Sequence, residues 1–181
     1  MHGTEAPSAW IERWAHLIAP ASSVLDLACG AGRHTRLLAS MGHAVLCVDR
    51  SEEALAAASA WGTPLQADIE NEAWPLAGRT FGAVVVTNYL WRALWPQILA
   101  AVQPGGVLLY ETFAQGHETV GRPSRADFLL RPGELLQVAA QGGLRVVAYE
   151  DGFQSAPERF VQRLAAVREV PAAEPARWPL A

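Results

Sequence analysis

Three carboxylates close three successive apolar runs. Asp26 lies in the last part of Val24-Leu25-Asp26-Leu27, Asp49 ends Ala44-Val45-Leu46-Cys47-Val48, and Asp68 follows Pro64-Leu65-Gln66-Ala67. Between the first two runs lies the turn Cys29-Gly30-Ala31-Gly32-Arg33. One acid so placed is ordinary, but three in succession describe neighbouring strands that deliver acids to one edge. Such a set accepts hydrogen bonds from hydroxyls and amines, and the glycines let a ligand approach the backbone closely. The glycines alone equally mark a loop that needs positive φ.

Asp49 follows the glycines by about twenty residues, the position from which an acid accepts both ribose hydroxyls. Dinucleotides and S-adenosylmethionine (SAM) are both held by that device, and Asp26 separates them. A dinucleotide sets a pyrophosphate at this turn, which a nearby carboxylate repels. SAM has no phosphate and presents an ammonium and a sulfonium, which Asp26 attracts directly or through water. Position 35 is Thr rather than the Gly or Ala that ends the dinucleotide fingerprint. Asp68 suits the adenine amino group with the Ile69 backbone at the ring edge, and equally suits a cap on a short following turn. With Ala28, Arg50 and Asn88 beside them, the expected cofactor contacts are Asp26, Ala28, Gly30, Gly32, Asp49, Arg50, Asp68, Ile69 and Asn88.

The elements that position these residues alternate. Apolar spacing predicts a helix over 8–19, a buried strand over 23–27, a helix over 33–41, a strand over 44–48 and a Ser51-capped helix to about Trp61. Strands over 64–67, 81–87 and 107–111 follow, with a helix around 93–102 before the last. The strand runs are continuously apolar, the pattern of a parallel sheet covered on both faces. Residues 112–129 are polar and read as a long, functional connection. A helix from Glu134 and strands over 144–149 and about 159–167 close the domain, the strand pair antiparallel. Residues 1–170 form one domain, and 171–181, rich in Ala and Pro, read as a flexible tail.

Taken in order, Val24 to Gly32 resembles the glycine-rich motif of class I SAM-dependent methyltransferases. Val45 to Asp49 resembles their ribose-binding strand, Gln66-Ala67-Asp68 their adenine segment, Phe81 to Asn88 their fourth strand, and Gln103-Pro104-Gly105-Gly106 the turn before the fifth. The resemblance covers roughly residues 22–111. It implies a doubly wound, Rossmann-like α/β fold with seven strands ordered 3-2-1-4-5-7-6, strand 7 antiparallel and helices on both faces. It also implies methyl transfer to a small molecule. The stretch Gly30 to Thr35 is most similar to the branch of tellurite-resistance and thiopurine-type methyltransferases. Two departures stand out. Ala28 replaces the motif's first glycine, which a negative φ would accommodate, and Gly82 replaces an acid that often follows Phe in strand four.

Methyl transfer needs alignment more than a dedicated base, because the cofactor carries the activated carbon. Tyr89, Trp91 and Glu111 are the catalytic or acceptor-side candidates. Trp91 and Trp95, four apart, equally suit packing on one helix face. Glu111 suits a base or, better, an anchor for a loop arginine. His117, Glu118, Arg122 and Arg125 suit either a lid whose arginines bind an anion or a solvated loop. His34 suits packing.

A net charge of −4 lacks the broad basic face of non-specific nucleic-acid binding. No apolar run reaches a membrane span, and the N-terminus lacks the pattern of a signal peptide. Two cysteines, Cys29 and Cys47, without a CxxC pair, read as small buried side chains and not as a metal site. The expectation is a cytoplasmic enzyme with no metal, no membrane and no nucleic-acid partner. A nucleotide or NAD(P) enzyme and a non-catalytic SAM-binding protein are the competing readings.

Overall fold

The structure is a computed structural model and describes residues 5–172 and 174–180. Its strands are β1 (Ser23–Leu27), β2 (Ala44–Asp49), β3 (Thr63–Gln66), β4 (Phe81–Thr87), β5 (Val102–Phe113), β6 (Arg145–Ser155) and β7 (Glu158–Val167). They form one sheet ordered β3-β2-β1-β4-β5-β7-β6. The first five pair in parallel, and β7 runs antiparallel to both β5 and β6. This is the order and direction expected from the sequence.

The helices are α1 (Ala9–Trp14), α2 (Arg33–Ser40), α3 (Glu52–Ala58), α4 (Trp95–Ala100) and α5 (Glu134–Gln141). Ser8 starts α1 by accepting from the Trp10 amide, and Ser51 starts α3 by accepting from Ala54. Glu52 and Glu53 in the first turn of α3 complement the helix dipole.

Alternation along each central strand sorts the core into two faces. Leu25, Leu27, Val84, Val86, Leu108 and Tyr110 pack with Leu99 of α4 and Leu135 of α5. Val24, Ala83, Val85, Val107 and Leu109 pack with Trp10, Ile11 and Trp14 of α1 and Leu38 of α2. Because both faces are covered, all seven residues of β4 are buried. Each fully buried aliphatic side chain contributes about 1.5–3 kcal/mol.

Three elements differ from the sequence expectation. No helix joins β3 to β4, so the strict alternation breaks there; Asp68 caps a turn and Pro75 follows. The fifth strand begins at Val102 and carries Pro104-Gly105-Gly106 inside its span, with the register against β4 shifting between Phe81 and Ala83. The β6–β7 hairpin extends to a Ser155–Glu158 pair, well past the expected end at Tyr149. In the C-terminal segment, Trp178 packs on the α1 side and donates to Glu169, and the Pro179 carbonyl meets the His16 ring.

Candidate active site

Parallel strands of an open sheet present their carboxyl ends to a common crevice at the point where strand order reverses, here between β1 and β4. The glycine turn leaves β1 with Ala28 at φ +54, Gly30 at φ +53 and Gly32 at φ +80. Ala28 therefore lies in the left-handed region, not at the negative φ that would accommodate its methyl group, a conformation that costs a non-glycine residue about 1–2 kcal/mol. The two glycines do different jobs. A methyl group added at Gly30 would meet nothing within 4 Å, so that position faces open space. One added at Gly32 would lie 2.7 Å from the Ala58 Cβ, so that glycine lets α2 start against α3. Both amides are engaged: Gly30 N donates to Asp49 Oδ2 at 2.9 Å and Gly32 N to the Cys29 carbonyl at 3.0 Å.

Asp49 also accepts from the Ser51 amide at 2.9 Å, and lone pairs on both oxygens remain toward the crevice. Asp68 accepts from the Asn71 side chain and from the Glu70 and Asn71 amides, bonds that hold its carboxyl below the usual range. It thus performs the turn-capping role while lining the crevice. Asp26 is buried to 1% exposure and accepts from Thr35 Oγ1 at 2.7 Å. Burial pushes its carboxyl up to about 6 against the bonds from Thr35. Thr35, noted in the sequence only for what it is not, is the partner that fixes this acid under the turn.

Two cavities meet at Ala28. One, of about 180 Å³, is lined by Asp49, Arg50, Ala67, Asp68, Ile69 and Tyr89 among others. The other, of about 210 Å³, is lined by Glu5, Gly30, Ala31, Arg33, Thr87 and Asn88 among others. Of the nine expected cofactor contacts, seven line these cavities, whereas Asp26 and Gly32 lie beneath the turn. The Tyr89 hydroxyl is buried without a hydrogen-bond partner, and burial with the nearby Glu70 carboxylate raises its pKa. Asn88 takes φ +53 and donates its amide to the Glu111 carbonyl, which turns the chain across the end of β5. Glu5 was not among the expected contacts; its only sequence signal is an acid before the first cap.

Beyond β4 and β5 the site is held by side chains. Glu111 is fully buried and accepts from Arg163 and from Ser8 Oγ, with Arg159 at 3.7 Å. Its partners are strand arginines, not the loop arginine expected, because β7 sets Arg163 directly opposite Glu111. His34 is buried too. Its Nε2 accepts from the Ser8 amide at 3.0 Å, so its Nδ1–H faces Thr87 Oγ1 at 3.2 Å. Burial, helped by Arg33, lowers its pKa to about 3 and keeps the ring neutral.

Arg92 is a clamp. It donates to Glu134 through Nε and Nη2 at 2.8 and 2.9 Å, and to the carbonyls of Asp127 and Leu129. Burial alone would raise Glu134, but the bonds from Arg92 and Arg131 outweigh it and hold the carboxyl down at about 2. Trp91 and Trp95 both lie half-buried against the core. His117, read from the sequence as part of either a lid or a solvated loop, is turned inward, stacked on Phe113 at 4.3 Å and bonded to the Arg122 carbonyl. Arg125 pairs with Asp127 at 2.8 Å.

With this geometry in view, residues 24–106 match the methyltransferase domain family. The match runs from β1 to the turn inside β5, 83 of the 181 residues. A search of curated proteins gives no match. Among solved structures the domain is similar to TehB from Haemophilus influenzae, with a TM-score of 0.71 at 18% identity over 91% of this chain; it spans 63% of that protein. A SAM-dependent methyltransferase from Methanosarcina mazei gives 0.70 at 12% identity, covering 92% of this chain and all of the other. The glycopeptide N-methyltransferase MtfA, solved with SAM, gives 0.64 at 21% identity, covering 91% of this chain and 95% of the other. At these identities the likeness is one of fold. Among the described residues no group of His, Cys, Asp or Glu is arranged to hold a metal, and no helix is long and apolar enough to cross a membrane.

Proposed function

We propose that the protein binds SAM in the paired cavities and transfers its methyl group to a small-molecule acceptor. The observation that carries this is the use made of the glycine amides. A dinucleotide site offers those amides to a pyrophosphate. Here Gly30 N is given to Asp49 and Gly32 N to Cys29, and two carboxylates, Glu5 and Asp49, line the space above the turn. With neither amide left for a phosphate, and with the lining arginines Arg50 and Arg33 set among carboxylates, the turn suits a ligand that carries both charges and no phosphate.

The residues fit SAM in two seats. Asp49 accepts the ribose hydroxyls, Ile69 supplies apolar surface for the adenine, and the unpartnered Tyr89 hydroxyl is a donor for the same ligand. In the second seat Glu5 faces an ammonium and Arg33 a carboxylate; the two side chains already pair at 3.8 Å.

SAM when bound supplies a methyl carbon on a charged sulfur; the acceptor's lone pair forms the new bond as the carbon–sulfur bond breaks and its electron pair stays on sulfur. The chain's own part is alignment and exclusion of water. Glu111 is committed to Arg163 and Ser8, the His34 ring is engaged at both nitrogens, and the Tyr89 phenol stays protonated. Glu111 and His34 therefore position the ends of β4 and β5, and the acceptor brings its own nucleophile.

Incubation with SAM and a panel of small thiols, amines and phenols is expected to release S-adenosylhomocysteine (SAH). Asp49→Ala is expected to weaken SAM binding by about 1–3 kcal/mol, the scale of hydrogen bonds to a charged acceptor. SAM bound but never consumed would make this a binding protein, and unchanged affinity would remove Asp49 from the ribose role.

A further inference from the structure

A third cavity, of about 520 Å³, is lined by Trp91, Arg92 and Ala93 of the segment after β4 and by Arg125, Asp127 and Phe128. We propose that it is the acceptor site and takes a flat aromatic molecule carrying one negative charge, seated between Trp91 and Phe128 with its anion on Arg125. The inference rests on the methyltransferase reading above.

Position is the first argument. Tyr89 lines the cofactor cavity and Trp91 lines this one. Two residues of chain span at most about 7 Å, so the walls of the two cavities are built from one short stretch after β4. A cavity of this size falls in the range that encloses small ligands.

Charge is the second argument. The two arginines of the cavity are not equivalent. Arg92 is consumed by Glu134 and two backbone carbonyls, so it builds the wall and has little left to offer a ligand. Arg125 is 73% exposed and pairs with an Asp127 that is 69% exposed. An exposed pair of this kind contributes about 0–1 kcal/mol, so an incoming anion can replace Asp127 at little cost. The Arg125 guanidinium already lies over the Phe128 ring, 5.4 Å from its centre. A planar anion at that spot meets an aromatic face and a cation together.

Preorganisation is the third. The Arg92 clamp ties the 127–129 backbone to the first residue of α5, which is 2% exposed. The Phe128 wall is therefore fixed to the core instead of riding on a free loop, and less ordering is needed when a ligand arrives.

The test is titration of 2-naphthoate, and of its neutral amide, into the full chain saturated with SAH. Naphthoate is expected to bind, Arg125→Gln to weaken it about tenfold, and the amide to be indifferent to that change. Trp91→Ala is expected to weaken both ligands, with SAH affinity held within twofold as the check that the variant is folded. Naphthoate that fails to bind the SAH complex, or that binds equally well to Arg125→Gln, overturns this inference and leaves the methyltransferase reading standing. Failure of SAH itself to bind overturns that earlier reading and, with it, the acceptor role of the cavity.

Discussion

The two halves of the crevice are made by different means. The cofactor half is built from backbone and short loops: a turn of three left-handed residues, acids at strand ends, and amides that reach across from β1 to β2. The other half, proposed above to take the acceptor, is built from side chains that cross long stretches of sequence. Arg92 reaches Glu134, Arg163 reaches Glu111, and Ser8 ties His34 to Glu111. A backbone-built site is fixed once the sheet forms. A side-chain-built site depends on a few ion pairs and can be altered with the sheet intact.

The largest expected effect breaks that comparison at its acceptor end. Glu134→Ala leaves Arg92 without its buried partner and should cost about 3–4 kcal/mol of stability, read by denaturant unfolding. SAH affinity of the folded fraction should stay within about twofold; a large loss would mean that the halves are coupled.

Next, the glycines should separate by position. Gly32→Ala forces a methyl group against Ala58 at a φ that disfavours it, and should cost about 3 kcal/mol of stability. Gly30→Ala meets no neighbour and should cost about 1 kcal/mol, while its methyl group enters the ligand's space and lowers SAH affinity. Thermal unfolding and SAH titration of the two variants should rank them in opposite orders.

A smaller effect sharpens the role of Asp26. Its carboxyl is raised from 3.8 to about 6, so between those pH values the folded state holds a proton that the unfolded state has lost. Its contribution to stability therefore falls as pH rises from about 4 to 6 and stays lost above. Asp26→Asn should be more stable than the parent by about 2 kcal/mol at pH 7–8, with the gain vanishing near pH 4. His34 runs the other way. Its folded value near 3 lies below the ordinary 6.5, so its neutral form favours folding at high pH and that favour is lost as pH falls from 6.5 toward 3. The two trends oppose each other across pH 4–6, and Asp26→Asn should expose the acid limb of His34.

This division also explains what the sequence makes legible. The strands β1 to β3, the acids Asp49 and Asp68 and the glycine turn follow from patterns within some fifty consecutive residues, where apolar runs end in polar stops, whereas the strand order follows from the family resemblance. The positive φ of Ala28 is hidden by its side chain, since only the family resemblance sets a glycine at that position. Arg92 with Glu134, and Glu111 with Arg163, join residues 42 and 52 apart in the chain. Only the pairing of β5 with β7 reveals the second pair. The loop arginines were visible as charges, but whether each is spent or free depends on carbonyls that fold onto them.

The glycine turn is proposed to serve a phosphate-free cofactor. Calorimetric titration of the intact protein with SAH and, separately, with NAD tests it most directly. SAH is expected to bind with one site per chain, and NAD to give no heat of binding. Binding of NAD with none of SAH would contradict it.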